Sequence, residues 1–95
     1  MENLIFTLSS LLLGKITETY DGIEITFDNN HSFEIIIKDT SYYISSYKSV
    51  YHYGKGDDVL VEFSTNDKCD SLDLVLQYIK HHLSRYANYE IDYGF

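Results

Sequence analysis

Residues 16–37 alternate in a way that leaves little choice of local structure. Ile23, Ile25 and Phe27 take every second place, with Glu24 and Thr26 between them. Phe33, Ile35 and Ile37 repeat the pattern, with Glu34 and Ile36 between. A period of two sends alternate side chains to opposite faces of a strand, which a helix cannot do. Two turn-forming stretches, Asp21-Gly22 and Asn29-Asn30-His31, interrupt the pattern. Asp-Gly favours a two-residue hairpin turn because it tolerates positive φ. Folded there, the chain pairs Tyr20 with Ile23, Glu18 with Ile25 and Ile16 with Phe27. A three-residue loop at the second stretch pairs Phe27 with Phe33, Ile25 with Ile35 and Ile23 with Ile37. A two-residue loop would set Phe33 against Thr26, on the wrong face, so the hydrophobic register selects the longer one.

Two more strands and a helix complete the pattern. Asp39-Thr40-Ser41 turns the chain into a fourth strand near residues 42–47, whose inward set is either Tyr42 with Ile44 or Tyr43 with Tyr47. Residues 51–58 read as a glycine-containing loop, and residues 58–64 as a fifth strand with Val59, Val61 and Phe63 inward. Asp70 or Ser71 then caps a helix with Asp73 at its positive end. Leu72, Val75, Leu76, Ile79, Leu83 and Tyr86 recur along it at helical spacing. The apolar residues 4–13, between Asn3 and Gly14, predict a second helix, in the core or at an interface. They are too few to span a bilayer, and lack the preceding positive charge and following cleavage site of a signal peptide. The expected fold is α+β in one domain over residues 1–95. An antiparallel four- to five-stranded meander sheet is flanked by an N-terminal and a C-terminal helix.

Charge narrows the function classes. The chain has 15 acidic and 7 basic residues, a net charge of −8, with ten tyrosines and no proline. Such a chain repels phosphate, so direct nucleic-acid binding is not expected and a basic protein partner is. Tyrosine supplies wide contact area with a polar tip. The single cysteine, Cys69, excludes an internal disulfide and fits a reducing cytoplasm. Tyr42, Tyr43, Tyr47, Tyr51 and Tyr53 all fall in residues 41–56, which contain no acid, between two acidic blocks.

No motif for catalysis, metal or cofactor stands beside these features. His81 and His82 are adjacent on a helix and point about 100° apart, so they cannot share a metal as residues four apart do. Cys69 precedes a helix, but Asp67 and Asp70 flank it and oppose a thiolate. The run from Asp28 to Asp39 lacks the central glycine of a calcium loop. Gly54-Lys55-Gly56 lacks the spacing and the following hydroxyl of a phosphate loop. No cofactor is expected.

The partner-binding residues expected from this reading are Glu24, Asp28, Glu34, Asp57, Asp58 and Glu62, with Tyr47, Tyr51 and Tyr53 as anchors. Ile36, and Leu60 with it, is apolar on the outward side of a strand and ringed by acids, the usual anatomy of a contact patch. The stretch from Gly22 to Asn30 followed by Phe33-Glu34-Ile35-Ile36-Ile37 resembles strands of small acidic bacteriophage proteins. Anti-CRISPR inhibitors that occupy a basic nucleic-acid channel are one such group. The likeness spans about a third of the chain and carries no individual residue role. Abundant Ile, Asn, Lys and Tyr fit an AT-rich genome such as those of low-GC bacteria and their phages.

The resemblance implies an inhibitor in the bacterial cytoplasm that blocks a basic surface of a defence nuclease, its carboxylates acting as a nucleic-acid mimic. Two other readings fit the same residues: an immunity protein against a basic toxin, and a homo-oligomeric phage assembly protein, with a homodimer as its simplest form. An enzyme would need His52, His81 or Cys69 to meet carboxylates in one cleft. Neither catalysis nor a membrane role is expected.

Overall fold

The alternation becomes a single antiparallel ladder in a computed structural model that describes residues 14–89. Five strands run in sequence order: β1 (Lys15–Glu18), β2 (Gly22–Thr26), β3 (His31–Lys38), β4 (Ser41–His52) and β5 (Asp57–Cys69). One helix, α1 (Leu72–Arg85), follows and packs on one face of the sheet. The expected N-terminal helix falls on residues outside those described.

Both early hairpins keep the expected faces but move the expected register by two residues. Ile16 lies opposite Ile25 and Glu18 opposite Ile23. The two-residue turn is Tyr20-Asp21, closed by the Thr19 N–H donating to the Gly22 carbonyl at 2.9 Å. Gly22 therefore lies in the strand, not in the turn. A Cβ there would stand 1.8 Å from the Ile35 carbonyl oxygen, so the close approach of β3 decides this residue. The second hairpin has the expected three-residue loop, one place earlier, at Asp28-Asn29-Asn30. The Phe27 N–H donates to the His31 carbonyl at 2.9 Å, and Asn30 takes φ 65°, a conformation asparagine tolerates. Ile25 now faces Phe33, and Ile23 faces Ile35. His31 becomes the first inward residue of β3 instead of a loop residue.

The register of β4 resolves in favour of Tyr42 and Ile44 inward, followed by Ser46 and Lys48. Both late strands are longer than expected, so the loop between them shrinks from residues 51–58 to residues 53–56. Their ladder continues past the end of β3 through Ser49–Leu60, Val50–Val59, Tyr51–Asp58 and His52–Asp57, forming a two-stranded ribbon. Two irregularities in the register, on either side of the Ser46–Ser64 pair, place extra residues on β5. As a result Phe63 and Ser64, though adjacent, both reach α1: Phe63 stacks on Tyr86 with centroids 3.7 Å apart, and Ser64 bonds the Tyr78 hydroxyl.

The core lies between α1 and the sheet. Ile23, Ile25, Phe33, Ile35, Ile44, Val75 and Ile79 are fully buried there. Each is worth about 1.5–3 kcal/mol of transfer free energy, which conformational entropy largely offsets. Ser71 is the N-cap, its hydroxyl accepting from the Leu74 N–H at 3.3 Å, with Asp73 in the first turn as expected. The other end is capped from the sheet. Lys48 Nζ donates to the carbonyls of Tyr86 and Ala87, both at 3.0 Å, placing a cation at the negative end of the helix.

Candidate functional site

The face of the sheet turned away from α1 gathers most of the expected binding residues, and no other described element packs on it. Register alone builds one row from Thr17, Glu24, Glu34 and Ser45. A second row runs Lys15, Thr26, Ser32, Tyr47 and Glu62. Every second residue of the ribbon continues this face, so Ser49–Leu60 and Tyr51–Asp58 extend the stripe that begins at Tyr47–Glu62.

At its centre stands Tyr47, half-buried, with its phenol within electrostatic reach of Glu34, Glu24 and Glu62. Burial first, then Glu34, Glu24 and Glu62, hold this phenol well above its ordinary pKa, so it stays a neutral donor. Glu24 and Glu34 lie directly opposite each other. Like charges so placed destabilise a sheet by roughly 0.2–1 kcal/mol. No basic side chain neutralises them: the ion pair found among the described residues joins Lys68 and Asp70, 3.7 Å apart. An unfavourable pair with no cation set against it among the described residues is typical of a surface kept for binding.

The remaining expected residues distribute around this face. Leu60 is 69% exposed, in the middle of the ribbon stripe. Tyr51 and Tyr53 are exposed at the ribbon tip, with ring centroids 4.8 Å apart. Asp58 pairs with Tyr51 on the outer side, whereas Asp57 pairs with His52 and alternates to the other side. Asp28 sits in the loop between β2 and β3, apart from the two rows. Ile36 is on the outer face but toward its other end, in a depression of about 390 Å³ with Lys38, Tyr43 and Asn66. The expected set is thus one central cluster of Glu24, Glu34, Tyr47 and Glu62, an extension along the ribbon, and three outlying positions, Asp28, Ile36 and Asp57.

The three residues named for a catalytic reading lie in three different places. His52 and Cys69 occupy opposite ends of the β4–β5 ladder, paired with Asp57 and Tyr42 respectively. Ten strand residues separate those ends along β4, about 30 Å. Cys69 is buried, and burial together with Asp67 and Asp70 pushes its thiol up, away from a reactive thiolate. His81 is exposed on α1. Among the described residues no three His, Cys, Asp or Glu side chains are placed to hold a metal ion. Nor is any described helix long and apolar enough to cross a membrane.

The inner face holds a polar group that sequence reasoning missed. His31, Ser46 and Lys48 are buried beneath α1, and His82 joins them from the helix. The signal was parity: His31 continues the inward series of Ile35 and Phe33, and Ser46 and Lys48 continue that of Tyr42 and Ile44. Polar residue types in a turn-like context concealed it.

This chain matches no protein-family model, no curated protein and no solved structure.

Proposed function

We propose that this protein is a non-enzymatic binding protein that lays its outer sheet face on a basic surface of another protein and competes there with nucleic acid. The observation that carries the reading is the opposed, unneutralised Glu24–Glu34 pair around the Tyr47 phenol. Its carboxylates, with Glu62, present closely spaced negative charge on a rigid sheet, as a phosphate backbone does. Incoming lysine or arginine side chains relieve the repulsion between these carboxylates, so part of the binding free energy comes from strain already present in the free protein. The exposed Tyr51, Tyr53 and Leu60 supply apolar anchorage along the ribbon. Charge of this kind accelerates encounter and is screened by salt. A bacterial nuclease or other nucleic-acid-binding protein is the partner class that fits, and an inhibitor is the role that competition implies.

The test is capture of partners from a low-GC bacterial lysate, followed by association kinetics of the purified pair across a salt series. A basic partner is expected, displaced by duplex DNA, whose association slows as salt rises. Replacing Glu24, Glu34 and Glu62 together with Gln should slow association roughly tenfold and flatten the salt dependence. The same variant should gain roughly 0.2–1 kcal/mol of folding stability from loss of the like-charge pair. Unchanged association would remove the outer face as the site. A captured partner that DNA cannot displace would remove competition as the mechanism.

A further inference from the structure

Ser46 Oγ stands between two imidazoles, 2.7 Å from His31 Nε2 and 3.0 Å from His82 Nδ1. A hydroxyl has one proton to give. Both bonds form with neutral rings, and the buried Ser46 proton finds an acceptor, only when one ring donates to Oγ and the other accepts from it. His31 Nδ1 is buried and has no hydrogen-bond partner among the described residues. An N–H stranded there would cost more than a bare lone pair, which assigns the proton to His31 Nε2. Nε2–H then donates to Ser46, and the Ser46 hydroxyl donates to His82 Nδ1.

The three side chains come from β3, β4 and α1. Together with Lys48 on the last carbonyls, they are the polar ties between the C-terminal half of α1 and the strands beneath it.

We propose that His31, Ser46 and His82 form an acid-sensitive latch, which holds the C-terminal half of α1 on the sheet while both rings are neutral and releases it when either ring is protonated. This inference is independent of the outer face and its partner. A proton on His82 Nδ1 turns the acceptor into a donor and leaves the buried Ser46 proton without one. A proton on His31 can go only to Nδ1, where nothing accepts it.

The surroundings oppose protonation in place. On β4, Lys48 is a cation beside His31; on α1, His81 and Arg85 act on His82. Asp67 of β5 is the carboxylate that favours a charged His82, and it also accepts from the Tyr78 hydroxyl at 3.0 Å. Phe33 of β3, Phe63 of β5 and Tyr78 and Tyr86 of α1 enclose the rings with uncharged aromatic surface. Burial, then His82 and Lys48, bring His31 down from 6.5 to about 4. Burial and His81, with Arg85, hold His82 down against Asp67. Once the helix lifts, solvated rings take up protons near the ordinary histidine value, so acid favours the open form.

The test is amide hydrogen exchange, corrected for its intrinsic pH dependence, with ring titrations followed by NMR from about pH 7 to about pH 4. Protection at residues 79–86 should fall at least tenfold and stay below that of Ile25 and Ile35, following the titration of the histidines. His82→Gln can still accept from Ser46 but does not titrate in this range, so it should lose distinctly less protection than wild type, the remaining loss belonging to His31. Equal loss in wild type and His82→Gln would overturn the latch. So would helix amides as well protected as the strands throughout, or rings that titrate with helix protection unchanged. Should His82→Gln not fold, a mismatch between the ring and exchange midpoints in the wild-type protein overturns it equally.

Discussion

Gly22→Ala is expected to destabilise the protein by about 3 kcal/mol or more, a large share of the roughly 5–15 kcal/mol that holds a domain folded. The added Cβ would lie 1.8 Å from the Ile35 carbonyl oxygen and 2.8 Å from its carbon. Those atoms are backbone in the central part of the ladder, so no rotamer change can relieve the clash. Relief requires β2 and β3 to separate where Gly22 faces Ile36 and where the Ile37 N–H donates to the Asp21 carbonyl at 3.0 Å. Ile23 and Ile35, fully buried one place along, would move with them. Gly54→Ala is the control: it sits on the exposed ribbon tip, where the nearest atom met is the end of the His52 ring at 3.0 Å. Urea unfolding should place that variant within about 0.5 kcal/mol of the parent. A Gly22→Ala loss below about 1 kcal/mol would show that the strands can spread.

The second large effect is on pH. Folding stability should fall by up to about 3 kcal/mol between pH 6.5 and pH 4 through His31 alone. The direction follows from proton uptake. His31 is held down in the folded protein and has its ordinary value in the unfolded chain, so across that window the unfolded state binds more protons. Stability is therefore complete above the window and is lost as pH falls through it. His82, held down as well, adds in the same direction. His31→Phe keeps a ring against Phe33, where the imidazole stacks at 4.5 Å, and leaves Ser46 free to donate to His82. Its unfolding free energy should depend on pH distinctly less than that of the parent. An equal slope in both proteins would mean that His31 titrates normally in the folded state.

The two effects show how differently parts of this protein could be read. The alternation of Ile23, Ile25 and Phe27 against Phe33, Ile35 and Ile37 was enough to expect hairpins and to divide their faces. It was not enough to fix register, because a slip of two residues keeps every side chain on its face. The difference between a turn at Asp21-Gly22 and one at Tyr20-Asp21 lies in the packing of β3 against Gly22, which no local pattern contains. The slip mattered most for His31, which moved from a loop into the core.

The candidate site was partly legible for the same reason. Glu24, Glu34 and Glu62 could be placed on the outward face by parity. That Tyr47 stands among them required the pairing of β3 with β4 and of β4 with β5, and the bulges in β5 put that pairing beyond simple counting. The ribbon was hidden because Tyr51, His52 and Asp57 neighbour a glycine-containing turn and look like loop residues; cross-strand hydrogen bonds make them strand.

By itself the sequence determined the hairpin meander, the capped C-terminal helix, the acidic balance and the identity of the two sheet faces. All of these follow from periodicity, end signals and charge, which are properties of neighbours along the chain. Only the tertiary structure decided which carboxylates oppose one another around Tyr47, why position 22 is glycine, and that two histidines share one serine under α1. Those outcomes depend on contacts between residues 10 to 40 positions apart, whose energies exist only once the ladder and the helix have closed on each other.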